Sequence, residues 1–168
     1  MVVREGISFL TTGGTIDKVY FDRSSEFSTG ESQIDKYLRS FNSSLNYNCK
    51  KIISKDSLDM TDEDRNLIVE AIKVDENCRI VITHGTDSMV KTMKCIVDAE
   101  IDKIIVLTGS FKPLEFRDTD AIFNVAMAIG VAKMAKSPCT LICMNGVLFD
   151  NPEKTCKSRE NQRFELRV

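Results

Sequence analysis

Five short runs of apolar, largely branched residues punctuate the chain: ISFLTT (7–12), CKKIIS (49–54), RIVITH (79–84), KIIVLTG (103–109) and CTLICMN (139–145). Most are apolar nearly throughout, the pattern of parallel strands covered on both faces. Longer stretches with helical spacing lie between them. Thr61 stands where an N-cap is needed before DEDRNLIVEAIKV, whose first turn carries acids that favour the positive end of the helix dipole. Leu67, Ile68, Ala71 and Ile72 then recur on one face. SMVKTMKCIVDAE groups Met89, Met93, Ile96 and Val97, and from Asp120 to Lys136 a third stripe runs through Ile122, Val125, Ala126, Ile129 and Ala132. These stripes read as core faces. Strand–helix alternation with right-handed crossovers predicts a three-layer, doubly wound α/β domain with a mostly parallel sheet. No repeat, low-complexity tract or linker divides the chain, so residues 1–168 read as a single domain. The stretch 17–48, which contains DRSSEFSTGES, is polar and weakly patterned. A loop of that length in a compact domain is more often functional than idle, and it is the candidate active-site loop.

Two of the strand-like runs end in threonine beside glycine, as TTGGT (11–15) and HGTD (84–87). Open α/β sheets bind ligands beyond the carboxyl ends of their strands, where both motifs fall. Neither motif is a GxGxxG or GxxxxGK[ST] phosphate loop, which argues against nucleotide binding. His84 is the only histidine and no GxSxG elbow accompanies it, so it reads as a structural residue at a strand end. What remains is hydroxyl chemistry with a base other than histidine, such as a lysine held by an acid and by desolvation. Thr86 and Asp87 supply a hydroxyl and a carboxylate side by side, but lysines are too numerous for spacing to choose the base. Gly13, Gly14 and Gly85 would permit close backbone approach and unusual dihedral angles beside the two hydroxyls.

Composition narrows the picture further. A net charge of -2 over 168 residues gives no electrostatic reason to expect nucleic acid or a membrane surface as partner. MVVREGISFL lacks the basic start and long apolar stretch of a signal peptide, no run reaches transmembrane length, and a cytoplasmic location is expected. The six cysteines are scattered without a CxxC pair, and with a single histidine they point to buried free thiols rather than zinc. Cys139 and Cys143, four residues apart on one strand, should share a face.

Taken in order, TTGGTID, DSLDMTD, ITHGTDSM and VLTGSFKP resemble the N-terminal domain of the bacterial-type L-asparaginase family. The ending CKSRENQRFE is similar to that of short, single-domain members, in which the usual second domain is absent. The resemblance implies a hydrolase that converts L-asparagine to L-aspartate and ammonia without metal or organic cofactor. Its alternatives are a broader asparaginase-glutaminase and a catalytically weak amino-acid-binding module. Carried over to this chain, Thr12 is the nucleophile, Thr86 and Asp87 are the second hydroxyl and its acidic neighbour, and Lys157 completes a relay with them. Ser57 would hold the substrate carboxylate, Asp87 would also meet its ammonium, and the Thr86 amide would serve the oxyanion. Gly13, Gly85 and Ser110 would line the substrate site. Phe27 stands where the family places a tyrosine hydroxyl, a role left to Tyr20 if any residue takes it, and Leu58 replaces a frequent glutamine. Full-length relatives complete each site from a neighbour's second domain, so this chain is expected to cover its own as a homodimer or dimer of dimers.

Overall fold

The computed structural model describes residues 6–21, 26–29, 32–41, 44–158 and 160–167. In chain order the strands are β1 (Ile7–Gly13), β2 (Lys18–Phe21), β3 (Glu26–Thr29), β4 (Tyr47–Lys55), β5 (Arg79–Thr83), β6 (Ile104–Thr108), β7 (Cys139–Met144), β8 (Val147–Phe149), β9 (Thr155–Ser158) and β10 (Arg163–Leu166). The helices are α1 (Ile34–Ser40), α2 (Asp62–Val74), α3 (Met89–Asp98) and α4 (Ala121–Met134). All five apolar runs are strands of one six-stranded sheet of order β4-β1-β5-β6-β7-β8, parallel except for the last pair. The expected doubly wound, mostly parallel α/β architecture is therefore what the chain forms.

The order of the strands decides where the site lies. From β1 the chain winds outward to β4 and then returns to place β5 on the opposite flank of β1. Strand order reverses between β1 and β5, and the loops leaving such a pair diverge to opposite faces, opening a crevice at their carboxyl ends. TTGGT ends β1 and HGTD follows β5, so the two motifs border that crevice. Thr11 and Thr83 are direct register partners.

Alternate side chains feed two cores. Leu10, Ile80, Ile82, Ile105 and Leu107 pack beneath α2 and α3 with Ile68, Ile72, Met89, Met93 and Ile96. Ile7, Phe9, Val81, Val106 and Cys143 pack on the other face with Ile34, Leu38 and the small residues of α4. Cys139 and Cys143 do share that second face. Thr61 caps α2 as expected, with reciprocal bonds between it and Asp64. The predicted stripes are rotated in places. On α2, Leu67 is exposed while Val69 is buried. Val97 of α3 is likewise exposed. On α4 the buried residues are Ala121, Asn124, Val125, Ala128 and Ala132. Ile122, Ala126 and Ile129 instead line a shallow apolar groove beside α1. Because α4 is apolar nearly all round, periodicity could not orient it.

The described residues of the stretch 17–48 hold more regular structure than their composition suggests. It contains the β2–β3 hairpin and α1, whose Ile34 and Leu38 are buried in the second core. Elements this short are defined by tertiary packing more than by periodicity. No described helix is long and apolar enough to cross a membrane.

Candidate active site

The β1 motif is a strand end bent by two glycines. Gly13 and Gly14 have φ of 91° and 87°, conformations that side chains rarely adopt. A Cβ on Gly13 would stand 2.5 Å from the Lys55 carbonyl oxygen. The Gly14 amide donates to that same carbonyl at 3.0 Å. Gly13 thus serves the backbone junction with β4 rather than a substrate surface. Thr12, before the bend, is fully buried, and its hydroxyl donates to the Thr83 carbonyl at 2.9 Å. The bend reverses the exposure: Thr15, beyond the glycines, reaches the crevice. The resemblance points to Thr12, the threonine before the glycines, whereas it is Thr15, after them, that borders the recess.

The β5 motif is held without such backbone angles. His84 is buried; its Nδ1–H donates to the Gly85 carbonyl at 2.8 Å, and Nε2 accepts from the Thr92 hydroxyl at 2.8 Å. Burial pushes its pKa down to about 4, so the ring stays neutral and both nitrogens are engaged. It is a structural residue, as expected. Gly85 is wedged between the other motif and Ser57: a Cβ on Gly85 would fall 2.5 Å from the Ser57 hydroxyl oxygen, and one on Gly14 would fall 2.4 Å from the Gly85 Cα. The two Thr-Gly turns therefore touch backbone to backbone, and any added methyl would part them.

Lys157 enters this crevice on β9. Its ammonium donates to Thr86 Oγ1 at 2.8 Å and to Asp87 Oδ1 at 2.8 Å. Two mid-chain residues and a lysine about 70 positions further on thus meet in one chain of hydrogen bonds. They surround an open recess of about 320 Å³ whose wall includes Thr15, Phe111, Ser158 and Gln162. Ser57, buried beneath it, accepts from the Asp87 amide at 3.3 Å, and its carbonyl accepts from Ser88 Oγ at 2.6 Å. Ser57 is therefore tied directly to the HGTD turn.

The remaining candidates divide. Ser110 is buried and turns its hydroxyl back onto the Lys112 carbonyl, leaving its neighbour Phe111 to face the recess. Leu58 is exposed. Phe27 and Tyr20 stand opposite each other across the β2–β3 hairpin, and their side chains lie outside the described residues. Asp17, two residues past Thr15, is 2% exposed, and its Oδ1 has no partner. Desolvation outweighs its hydrogen bonds from Ser32, Gln33 and Gly13 and pushes its pKa up to about 6. A larger polar hollow of about 780 Å³ beside α1 and β4 holds none of the relay groups. Size does not mark the site here; convergence of chemistry does.

With this geometry in place, the comparisons with known proteins take on meaning. The family model described as "Asparaginase, N-terminal" matches residues 6–163. The probable periplasmic L-asparaginase of Haemophilus influenzae is 30% identical over 150 residues, 83% of this chain and 42% of that protein. L-asparaginase 2 of Escherichia coli is 26% identical over 158 residues, 89% of this chain and 45% of that one. The chain thus spans about half the length of the curated relatives it matches. In fold, the thermostable L-asparaginase from Thermococcus kodakarensis superposes with a TM-score of 0.82 at 24% identity, covering 96% of this chain and 51% of the other. From the family match across its sheet and both Thr-Gly turns, the chain belongs to the asparaginase N-terminal family.

Proposed function

We propose that this protein hydrolyses the side-chain amide of a small amino acid, L-asparagine first among them, by a threonine nucleophile and a lysine relay. The observation that carries the reading is the placement of Lys157 Nζ at 2.8 Å from both Thr86 Oγ1 and Asp87 Oδ1, in a recess shared with Thr15. Thr15 Oγ1 attacks the amide carbon, forming a C–O bond as the C–N bond breaks. The hydroxyl proton passes along the relay of Thr86 and Lys157 and leaves with ammonia. Water then cleaves the ester to release the free acid and restore Thr15. Asp87 fixes the lysine and, with Ser57 beneath it, offers the polar end of the site to the substrate's charged groups.

This moves the nucleophile from Thr12, the residue expected from sequence, to Thr15. The reason is accessibility: the Thr12 hydroxyl is enclosed and spent on the Thr83 carbonyl, whereas Thr15 lines the recess. Gly13, Gly85 and Ser110 become shape-setting residues rather than substrate contacts. We further propose a cytoplasmic location, no cofactor, and a homodimer or dimer of dimers that shields the open recess. Water exclusion strengthens each electrostatic interaction of such a site. The test is ammonia release from L-asparagine and L-glutamine by the wild type and by Thr15→Ala. Release that depends on Thr15 supports the reading; a wild type that binds either amino acid in calorimetry without releasing ammonia would replace it with that of a binding module.

A further inference from the structure

Lys157 uses its ammonium on two acceptors, Thr86 and Asp87, and a third side of the group faces an aromatic ring. Its Nζ lies 5.4 Å from the centroid of Phe111. That ring is in turn fixed from below. Phe164, buried and directly opposite Lys157 on the β9–β10 hairpin, meets Phe111 edge-on with centroids 6.4 Å apart. Phe149 of β8 supports Phe164 at 6.0 Å. The hairpin that carries the lysine and the ring that faces it therefore share one aromatic stack.

The backbone under Phe111 is held as firmly. Its amide donates to both carboxylate oxygens of Asp120, at 3.1 and 3.0 Å, and the Lys112 amide adds a third bond at 3.0 Å. Asp120 is oriented by Asn124, a buried amide on α4 whose Nδ2 donates to Asp120 Oδ2 at 3.1 Å and to the Gly109 carbonyl at 3.0 Å. Its Oδ1 accepts from the Asn145 amide at 3.0 Å, which ties in the turn between β7 and β8. One buried asparagine thus fixes the loop after β6 and the turn that leads to β8.

We propose that Phe111 is a positioning residue for Lys157, and that Asp120 and Asn124 form the clamp that aims it. The ring face attracts the ammonium electrostatically and occupies the side from which water would otherwise compete with Thr86 and Asp87. The clamp matters because a loop could not by itself hold a ring to one orientation. The inference deepens the hydrolase reading and rests on it for its kinetic part alone.

The test pairs a spectroscopic measurement with a kinetic one. In protein labelled at lysine, the ε-methylene resonances of Lys157, assigned by their loss in Lys157→Arg, should lie upfield of other lysines because of the ring current. Phe111→Leu should abolish that shift and Phe111→Tyr should retain it. In the ammonia assay, Phe111→Leu should lower kcat by about tenfold with little change in KM, the scale of a partly desolvated cation–π contact, and Phe111→Tyr should restore most of it. Asp120→Asn should reduce both the shift and kcat in the same direction. A Lys157 resonance indifferent to Phe111→Leu, or equal kinetic losses in the leucine and tyrosine variants, would overturn the proposal. A wild type that releases no ammonia would remove the hydrolase reading, while the resonance measurement would still decide whether Phe111 positions the lysine.

Discussion

The two Thr-Gly turns occupy neighbouring strand ends of one sheet, yet they are built on opposite principles. The first bends through two consecutive left-handed glycines and leaves polar atoms unpaired: the Thr11 hydroxyl and Asp17 Oδ1 are buried without partners. The second has no residue at positive φ, and its buried His84 is bonded at both nitrogens, although the Thr83 hydroxyl before it is also buried without a partner. Unfavourable backbone angles and unsatisfied polar groups persist where the surrounding structure imposes them, and they gather at sites of function. A reactive hydroxyl has to be turned out of a strand, which requires the bend. A relay has only to be held still, which needs no such bend. In the proposed hydrolase, the first turn presents the nucleophile and the second supports the base.

The most severe way to break this division is at the hydroxyls themselves. Thr15→Ala should lower turnover by roughly a thousandfold or more while preserving the fold, since covalent attack is lost. Thr12→Ala should cost far less turnover and about 1 kcal/mol of stability, the scale of one buried hydrogen bond. If Thr12→Ala proved the more damaging to turnover, the nucleophile would revert to the residue expected from sequence. Measured rates of ammonia release beside thermal melts of both variants decide the matter.

The second turn is tested through its relay. Lys157→Met and Thr86→Ala should each reduce turnover by roughly 100- to 10,000-fold, as expected for loss of general acid–base catalysis. The double variant should be little worse than the poorer single one, because members of one unit lose function together. Additive losses would mean that the two groups act separately.

The junction between the turns is the next target. Gly14→Ala forces a methyl group onto the Gly85 backbone at a glycine-specific dihedral angle, and it should destabilise by at least about 3 kcal/mol. Gly130→Ala, on α4 with nothing within 4 Å of the added Cβ, should instead stabilise by about 0.5–1 kcal/mol. Chemical denaturation separates them.

Stability against pH sharpens the contrast further. His84 has its folded pKa lowered to about 4, so its neutral form favours the fold above the unfolded value of 6.5 and that benefit fades as pH falls toward 4. Asp17 runs the other way. Its folded pKa is raised to about 6 from 3.8, so its contribution is present at low pH and is lost as pH rises through that window. Relative to the wild type, Asp17→Asn should therefore gain up to about 2–3 kcal/mol between pH 4 and 7. His84→Gln should show its greatest deficit at pH 7 and recover toward pH 4. Denaturation curves at several pH values would show the two differences sloping in opposite directions; parallel curves would erase the distinction.

Much of this molecule was legible in its sequence. The branched runs marked the strands: β1, β5 and β6 are buried on both faces and tolerate little else, whereas edge strand β4 is largely exposed and was signalled by its branched residues alone. Thr61 determined where α2 begins, and strand–helix alternation determined the class of fold. HGTD and TTGGT marked the two strand ends that border the crevice. Other features depend on contacts between distant residues. Spacing could not choose Lys157 from the other lysines, and only the antiparallel pairing of β9 with β10 sets it against Thr86 and Asp87. The aromatic stack of Phe111, Phe164 and Phe149 joins three separate elements and leaves no local signature. Within TTGGT, the resemblance points to Thr12, whereas the paired glycines turn Thr15 into the recess. Sequence alone fixes what each short segment prefers, since propensity and periodicity are local; which hydroxyl meets which base is a property of the crevice between β1 and β5, where segments far apart in the chain first share a neighbourhood.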